Sequence, residues 1–252
     1  MRIYIQTIPK SGTYFMAAFL SELGFNDTGL HVGLDHVLRT KDFDLRTNVE
    51  TPGRTRAMQP YAQTILGLAP GDVAFGHMPV GLHPIKFPRV FFVCCYRHPR
   101  KTLMSEFVDF RFRRQDVPWI KPSEIADDRV AFATYLRKCG PEQMDKWRDL
   151  LRVRRLVTLR WPGFSARRYA FVNFDAMLAD PEVPRALAER LGVDPQRVPD
   201  AMAAARAAET KTKATGLTLD RNAFWSDEAE AAYAALRAEA RVRRAKSLGL
   251  TF

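Results

Sequence analysis

The sequence predicts an α/β protein of three layers, with helices on both faces of a central, mostly parallel sheet. Three observations carry that expectation. Residues 2–8 (RIYIQTI) read as a short strand that runs into PKSGT and then YFMAAFLSELGF, whose apolar residues recur at helical spacing before Gly24. Val90 to Tyr96 is an unbroken apolar run, the pattern of a strand buried on both faces in a parallel sheet. Pro99 follows where a first helical turn accepts proline, and KTLMSEFVDFRFRR continues at helical spacing, so the chain repeats strand, loop, helix.

The remaining elements follow in order. Residues 26–70 are mixed, with turn signals at Asn26-Asp27, Pro52-Gly53 and Pro70-Gly71 and a helix expected from Tyr61 to Leu68. Asp72 to Gly76 (DVAFG) is a strand, and 130–156 is helical with a break at Cys139-Gly140-Pro141. RYAFVNF (168–174) is a further strand, followed by helices over 181–191 and 197–209 and a loop over 210–223. One long helix is expected over 226–248, with Ser226 as N-cap, acids in the first turn and basic residues in the last. No repeat or low-complexity linker interrupts the chain, so 1–252 is expected to form one domain.

Hydrophobic residues make up 46% and charged residues 27% of the chain, which excludes an intrinsically disordered protein. No apolar run approaches the roughly 20 residues of a membrane span. The N-terminus lacks a basic-then-apolar signal, and the expectation is a cytoplasmic protein. Three cysteines, two of them adjacent at Cys94 and Cys95, fit a reducing compartment, and no Cys/His cluster has metal spacing, so no metal is expected. Subtracting 28 acidic from 39 basic residues leaves a net charge of +11. That surplus suits nucleic acid, anionic lipid, an acidic polymer or a polyphosphorylated small molecule. RFRR at 111–114 and RVRR at 152–155 and 241–244 fall in or near helices and read as solvated faces, so nucleic acid is not the expected partner.

Chemistry first appears in Ile8-Pro9-Lys10-Ser11-Gly12-Thr13-Tyr14. A small-residue turn between strand and helix lets backbone N–H groups converge on an anion, and Lys10 adds a point charge. The nucleotide P-loop order G-x-x-x-x-G-K-[ST] is absent, because here the lysine precedes the glycine. Taken alone, the segment reads equally as an ordinary turn with a surface lysine.

IPKSGTYF resembles the PKSGTTW loop of sulfotransferases that use 3′-phosphoadenosine 5′-phosphosulfate (PAPS), which wraps the 5′-phosphosulfate. CCYRHPRKTLMS carries Arg97, Pro99, Arg100 and Ser105 at the spacing of that family's second signature, R-x-P-R-x-x-x-x-S. The resemblance implies a P-loop-like fold, with Lys10, Ser11, Gly12, Thr13 and Tyr14 around the phosphosulfate and Arg97 with Ser105 on the 3′-phosphate. Unaided by the resemblance, Arg97 lies at the C-terminal end of a buried parallel strand, where α/β sheets bind ligands, and its guanidinium can grip a phosphate with two hydrogen bonds. The alternative is an arginine paired to a carboxylate, with Ser105 facing solvent.

Phe75-Gly76-His77-Met78-Pro79 resembles the family's T-H-L-P segment, whose histidine takes the acceptor proton. An imidazole suits that work, since its ordinary pKa lies near 6.5. Of the five histidines, His31, His36, His83 and His98 lack this context, and His98 reads as a turn or cap residue. Glu106 is the reserve base, because some relatives use a glutamate. FVNFDAMLADPE resembles a segment that places Phe174 against adenine and Asp175 at an acidic position, and Phe15 stands at the family's tryptophan. Lys213, or Lys211, takes the place of a C-terminal Arg-Lys-Gly triplet.

The resemblance therefore implies transfer of a sulfuryl group from PAPS to a hydroxyl or amine of a small-molecule or carbohydrate acceptor, with PAP as product. His77 would act as base, and Lys10 would stabilise the departing phosphate oxygen. The rival expectations are a P-loop-like small-molecule kinase and a basic nucleic-acid-binding protein. Phe43, Tyr61, Phe107, Phe110, Phe112 and Trp119 permit an aryl acceptor, whereas Arg54, Arg56, Arg111, Arg113 and Arg114 permit an anionic glycan.

Overall fold

The computed structural model describes residues 1–33, 36–40, 56–77, 87, 89–114, 117–208 and 219–252. Their strands are β1 (Arg2–Thr7), β2 (Asn26–Val32), β3 (His36–Arg39), β4 (Arg56–Met58), β5 (Asp72–Gly76), β6 (Val90–Tyr96) and β7 (Tyr169–Asn173). They form one sheet in the order β4-β3-β2-β5-β1-β6-β7. The run from β2 to β7 is parallel, and β3 and β4 continue the sheet as antiparallel strands at one edge. Every residue of β6 is buried, as its unalternating apolar run requires.

Side chains alternate across the sheet, and this sorts the core into two layers. Ile3, Ile5, Phe75, Phe91 and Val93 face α1 (Thr13–Glu22), α7 (Glu182–Arg190) and α8 (Val198–Ala207). Tyr4, Ala74, Phe92 and Cys94 face the opposite layer, built from α3 (Pro99–Val108), α4 (Asp128–Lys138), α5 (Gly140–Thr158), α9 (Asp227–Ala235) and α10 (Ala238–Ser247). Two short helices, α2 (Tyr61–Leu66) and α6 (Phe174–Ala179), complete the described set. None of the described helices is long and apolar enough to cross a membrane. Cys94, Cys95 and Cys139 are free thiols, and burial pushes the Cys94 thiol up to about 12.

Several local expectations hold for the stated reasons. Pro99 opens α3, and the His98 side chain caps it by accepting from the Arg100 amide at 3.3 Å. The chain breaks at Cys139 between α4 and α5, and Ser226 caps α9 by accepting from the Ala229 amide. Two expectations need correction. Residues 26–58 contain three strands that the sequence hides, because β2 (NDTGLHV) is polar, contains Gly29 and shifts register against β5 between Asp27 and His31. The single final helix is two helices, divided at Arg237, whose φ is 52°. The break lets Ala232 and Tyr233 on one side and Ala238, Val242 and Ala245 on the other all reach the core. Arg241 donates to the freed Leu236 carbonyl. A left-handed conformation costs a non-glycine residue roughly 1–2 kcal/mol, part of which glycine returns as entropy to the unfolded chain. Arg237→Gly is therefore expected to stabilise the protein by about 0.5–1 kcal/mol, read as a higher denaturant midpoint at unchanged slope.

Some of the positive charge is structural. Arg111 is 1% exposed, and its guanidinium donates to Asp128 at 2.6 Å and to the carbonyls of Ile120 and Ile125 at 2.6 and 2.9 Å. Arg154 donates to the Leu248 carbonyl at 2.8 Å and lies over the Phe171 ring. These residues tie helices and loops together, which removes Arg111 from the candidates for an anionic acceptor.

Candidate active site

The register of the parallel strands brings their C-terminal ends to one line. Gln6 lies opposite both Gly76 and Cys94, and Tyr96 lies opposite Asn173. The residues that follow these strands therefore meet at one edge of the sheet, the place where open α/β sheets take ligands. There they surround a cavity of about 710 Å³, lined by Lys10, Gly12, Thr13, Tyr14, His77, Arg97, Ser105 and Phe174 among others. Residues scattered over most of the sequence, and singled out from it one by one, thus share one space. Lys213 and Lys211 lie outside the described residues.

The loop after β1 is a tight turn closed by the Ser11 amide, which donates to the Ile8 carbonyl at 3.1 Å. Lys10 and Gly12 adopt left-handed conformations, with φ 65° and 83°. A Cβ at Gly12 would stand 2.1 Å from a ring carbon of Phe174, so only glycine lets loop and ring approach this closely. No side chain caps α1 at Gly12, so its first amides lack a capping partner, and Gly12 to Phe15 line the cavity. The Ser11 hydroxyl is fully buried without a hydrogen-bond partner among the described residues. Uncapped amides at a cavity wall suit an anion with several acceptor oxygens. The Thr13 hydroxyl is held by that of Thr7 at 2.8 Å.

Lys10 Nζ lies 3.1 Å from Asp109 Oδ2, and Arg113 pairs with the other oxygen of Asp109 at 2.6 Å. Burial pulls the Lys10 ammonium below its ordinary pKa of 10.5, while Asp109 works against that shift. Asp109 stands at the start of a π-helical turn, Asp109–Arg114, where a regular continuation of α3 was expected. Only a Lys10 partner on that turn reveals its role, and the sequence shows just an Asp/Arg pair four residues apart. Arg113, expected as a possible contact to an anionic acceptor, is instead committed to Asp109.

Arg97 donates from Nε to Asp175 at 2.9 Å, and Lys101 meets the other Asp175 oxygen at 3.0 Å. Burial pushes the Asp175 carboxyl up, but hydrogen bonds from Arg97 and Lys101 outweigh it and hold the group below its ordinary value. The terminal nitrogens of Arg97 make no hydrogen bond among the described residues, and Arg97 lines the cavity. Its guanidinium lies 5.6 Å from the Phe174 ring centre, and Phe15 meets the same ring edge-on at 5.6 Å. The carboxylate pairing expected as the alternative is present at Nε.

His77 follows β5, with Nδ1 3.1 Å from the Thr7 carbonyl and 2.8 Å from its hydroxyl. A carbonyl only accepts, so the network assigns the proton to Nδ1 and the lone pair to Nε2. Burial, and then the neighbouring His31, hold His77 well below its ordinary pKa of 6.5, so the ring is neutral at neutral pH. The His31 ring packs edge-on at 5.0 Å and also lines the cavity. His31 had no context in the sequence because β2 was not legible there. Glu106 lines the cavity too and accepts from the Tyr135 hydroxyl at 2.6 Å. Cys139 borders the same space, but burial lifts its thiol to about 11 and leaves it protonated and unsuited to nucleophilic work.

No protein-family model matches the sequence, and no curated protein matches it. Among solved structures, mouse sulfotransferase SULT7A1 complexed with PAP is similar with a TM-score of 0.60 at 12% identity, over 94% of this chain and 82% of that one. Retinol dehydratase in complex with androsterone and the inactive cofactor PAP is similar with a TM-score of 0.51 at 12% identity, over 100% of this chain and 82% of that one. The sheet, the loop after its first strand and the extent of these matches together show that this chain has the sulfotransferase fold.

Proposed function

We propose that the chain, as one domain, is a sulfotransferase that uses PAPS as donor and releases PAP. The observation that carries this is the meeting, in one cavity, of the uncapped start of α1 at Gly12, Thr13 and Tyr14 with Lys10, Arg97, whose terminal nitrogens make no hydrogen bond among the described residues, and His77 with its unprotonated Nε2. The loop from Lys10 to Tyr14 would hold the 5′-phosphosulfate, Arg97 and Ser105 the 3′-phosphate, and Phe174 with Phe15 the adenine. The donor supplies the sulfuryl group: its sulfur bonds to the acceptor oxygen or nitrogen as the bond to the bridging phosphate oxygen breaks. His77 Nε2 takes the acceptor proton, Nδ1 stays fixed on Thr7, and Lys10 neutralises charge on the departing oxygen. Fixed positions and fixed charges supply most of the rate in such a transfer.

Thermal shift separates this from a kinase. PAP at one hundred times its Kd is expected to add about 2.7 kcal/mol of stability, a rise of roughly 5–10 °C, and ATP with Mg²⁺ much less. Equal or greater stabilisation by ATP with Mg²⁺ would favour phosphoryl transfer instead.

The pH profile tests the assigned base. His77 works unprotonated and is depressed below 6.5, so activity is present above that depressed value and falls only as pH drops through it. A kcat/KM flat from about pH 6.5 to 8 is expected, with the acid limb lying below the ordinary histidine range. An acid limb centred above 6.5 would assign the proton to another group.

A further inference from the structure

Part of the cavity wall belongs to α5 and its N-cap, Cys139. Cys139, Glu142, Gln143 and Lys146 line it at helical spacings of three and four, a single stripe. Lys146 Nζ is paired with Glu142 at 2.9 Å, which leaves the stripe without net charge. Gln143 is 1% exposed, and neither its Oε1 nor its Nε2 has a hydrogen-bond partner among the described residues. A buried amide with both halves unmet is costly, and native proteins keep such groups where something arrives to meet them. Nothing in the donor scheme uses this one.

What would meet it is constrained by chemistry. Oε1 needs a donor and Nε2 an acceptor, and a neutral hydroxyl or amide offers both. Glu106, in the lining of the same cavity, accepts from the Tyr135 hydroxyl and forms no ion pair among the described residues. We propose that Gln143 is an acceptor-recognition residue and that the acceptor presents to it a hydroxyl or amide group, as an acetamido sugar or polyol does. This rests on the sulfotransferase reading.

The test uses the full chain and Gln143→Met, which keeps the side-chain volume and removes the amide. PAP should bind wild type and variant alike by calorimetry. With no unmet polar group to bury, the variant should melt about 2–4 °C higher. In a panel of acetamido sugars, polyols, and simple aliphatic and benzylic alcohols, kcat/KM should fall at least 10-fold for the first two classes and less than 3-fold for the simple alcohols. A lower melting temperature would show that the amide is structural and overturn the proposal. Unchanged kinetics toward sugars and polyols, or no sulfation of either class by wild type, would do the same. Failure of wild type to bind PAP would take down the donor reading and this proposal with it.

Discussion

Replacing Lys10 with alanine is expected to lower kcat by roughly 10²–10³-fold while PAP binding stays measurable, the cost of removing one preorganised charge from a developing anion. The ammonium is already in place at the loop, fixed 3.1 Å from Asp109, so little reorganisation accompanies its use. Its loss has a second effect. Among the described residues Asp109 would keep only Arg113 as ion-pair partner, and the cavity would gain a poorly neutralised carboxylate beside the proposed phosphosulfate site. Donor affinity should therefore weaken, by less than the rate does. The variant also inherits a left-handed backbone, with φ 65° at this position, at roughly 1–2 kcal/mol for alanine. Lys10→Asn separates the two causes, because asparagine tolerates that conformation without supplying charge. Steady-state kinetics with calorimetric PAP binding decide the matter: both variants should be equally slow, and full activity in either would remove Lys10 from the mechanism.

The parts of this site that were legible in the sequence are those fixed by local chemistry. PKSGT joins a strand to a helix with a small-residue turn, and an apolar run ending in Arg97 can only be a buried strand end. His77 and Phe174 were legible for the same reason, since each directly follows a strand. The groups that tune these residues were not. Asp109 meets Lys10 across a sequence separation that no local pattern reveals. His31 reaches His77 from a strand whose polar composition concealed it, and Gln143 looks like any helix glutamine until its burial is known. The arginine-rich stretches misled in the other direction. Arg111 and Arg113 sit in a run that reads as a solvated face, yet both are buried in ion pairs, so net charge overstated what was available to a partner.

Gly12→Ala should be severely damaging for a single added methyl. Two costs act at one atom. At φ 83° an alanine sits in the left-handed region at roughly 1–2 kcal/mol. Its Cβ would also fall 2.1 and 2.3 Å from two ring carbons of Phe174 and 2.8 Å from Cγ, too near the root of the side chain for a small rotation to relieve. Either the ring leaves its contacts with Phe15 and Arg97 or the loop leaves the helix start. A loss of about 3–4 kcal/mol is expected from strain and displaced packing together, a large share of the 5–15 kcal/mol typical of a folded domain. PAP affinity should fall at least 100-fold, since the loop amides and the aromatic wall both move. Pairing the change with Phe174→Ala divides the costs. In the double variant the clash is absent, so the two losses should sum to more than the measured total by about 1–2 kcal/mol, and the backbone strain at Gly12 should remain. Strict additivity in chemical denaturation would mean that loop and ring do not meet. A Gly12→Ala protein as stable as wild type, with unchanged affinity for PAP, would mean that the left-handed turn at the helix start is not what holds the anion.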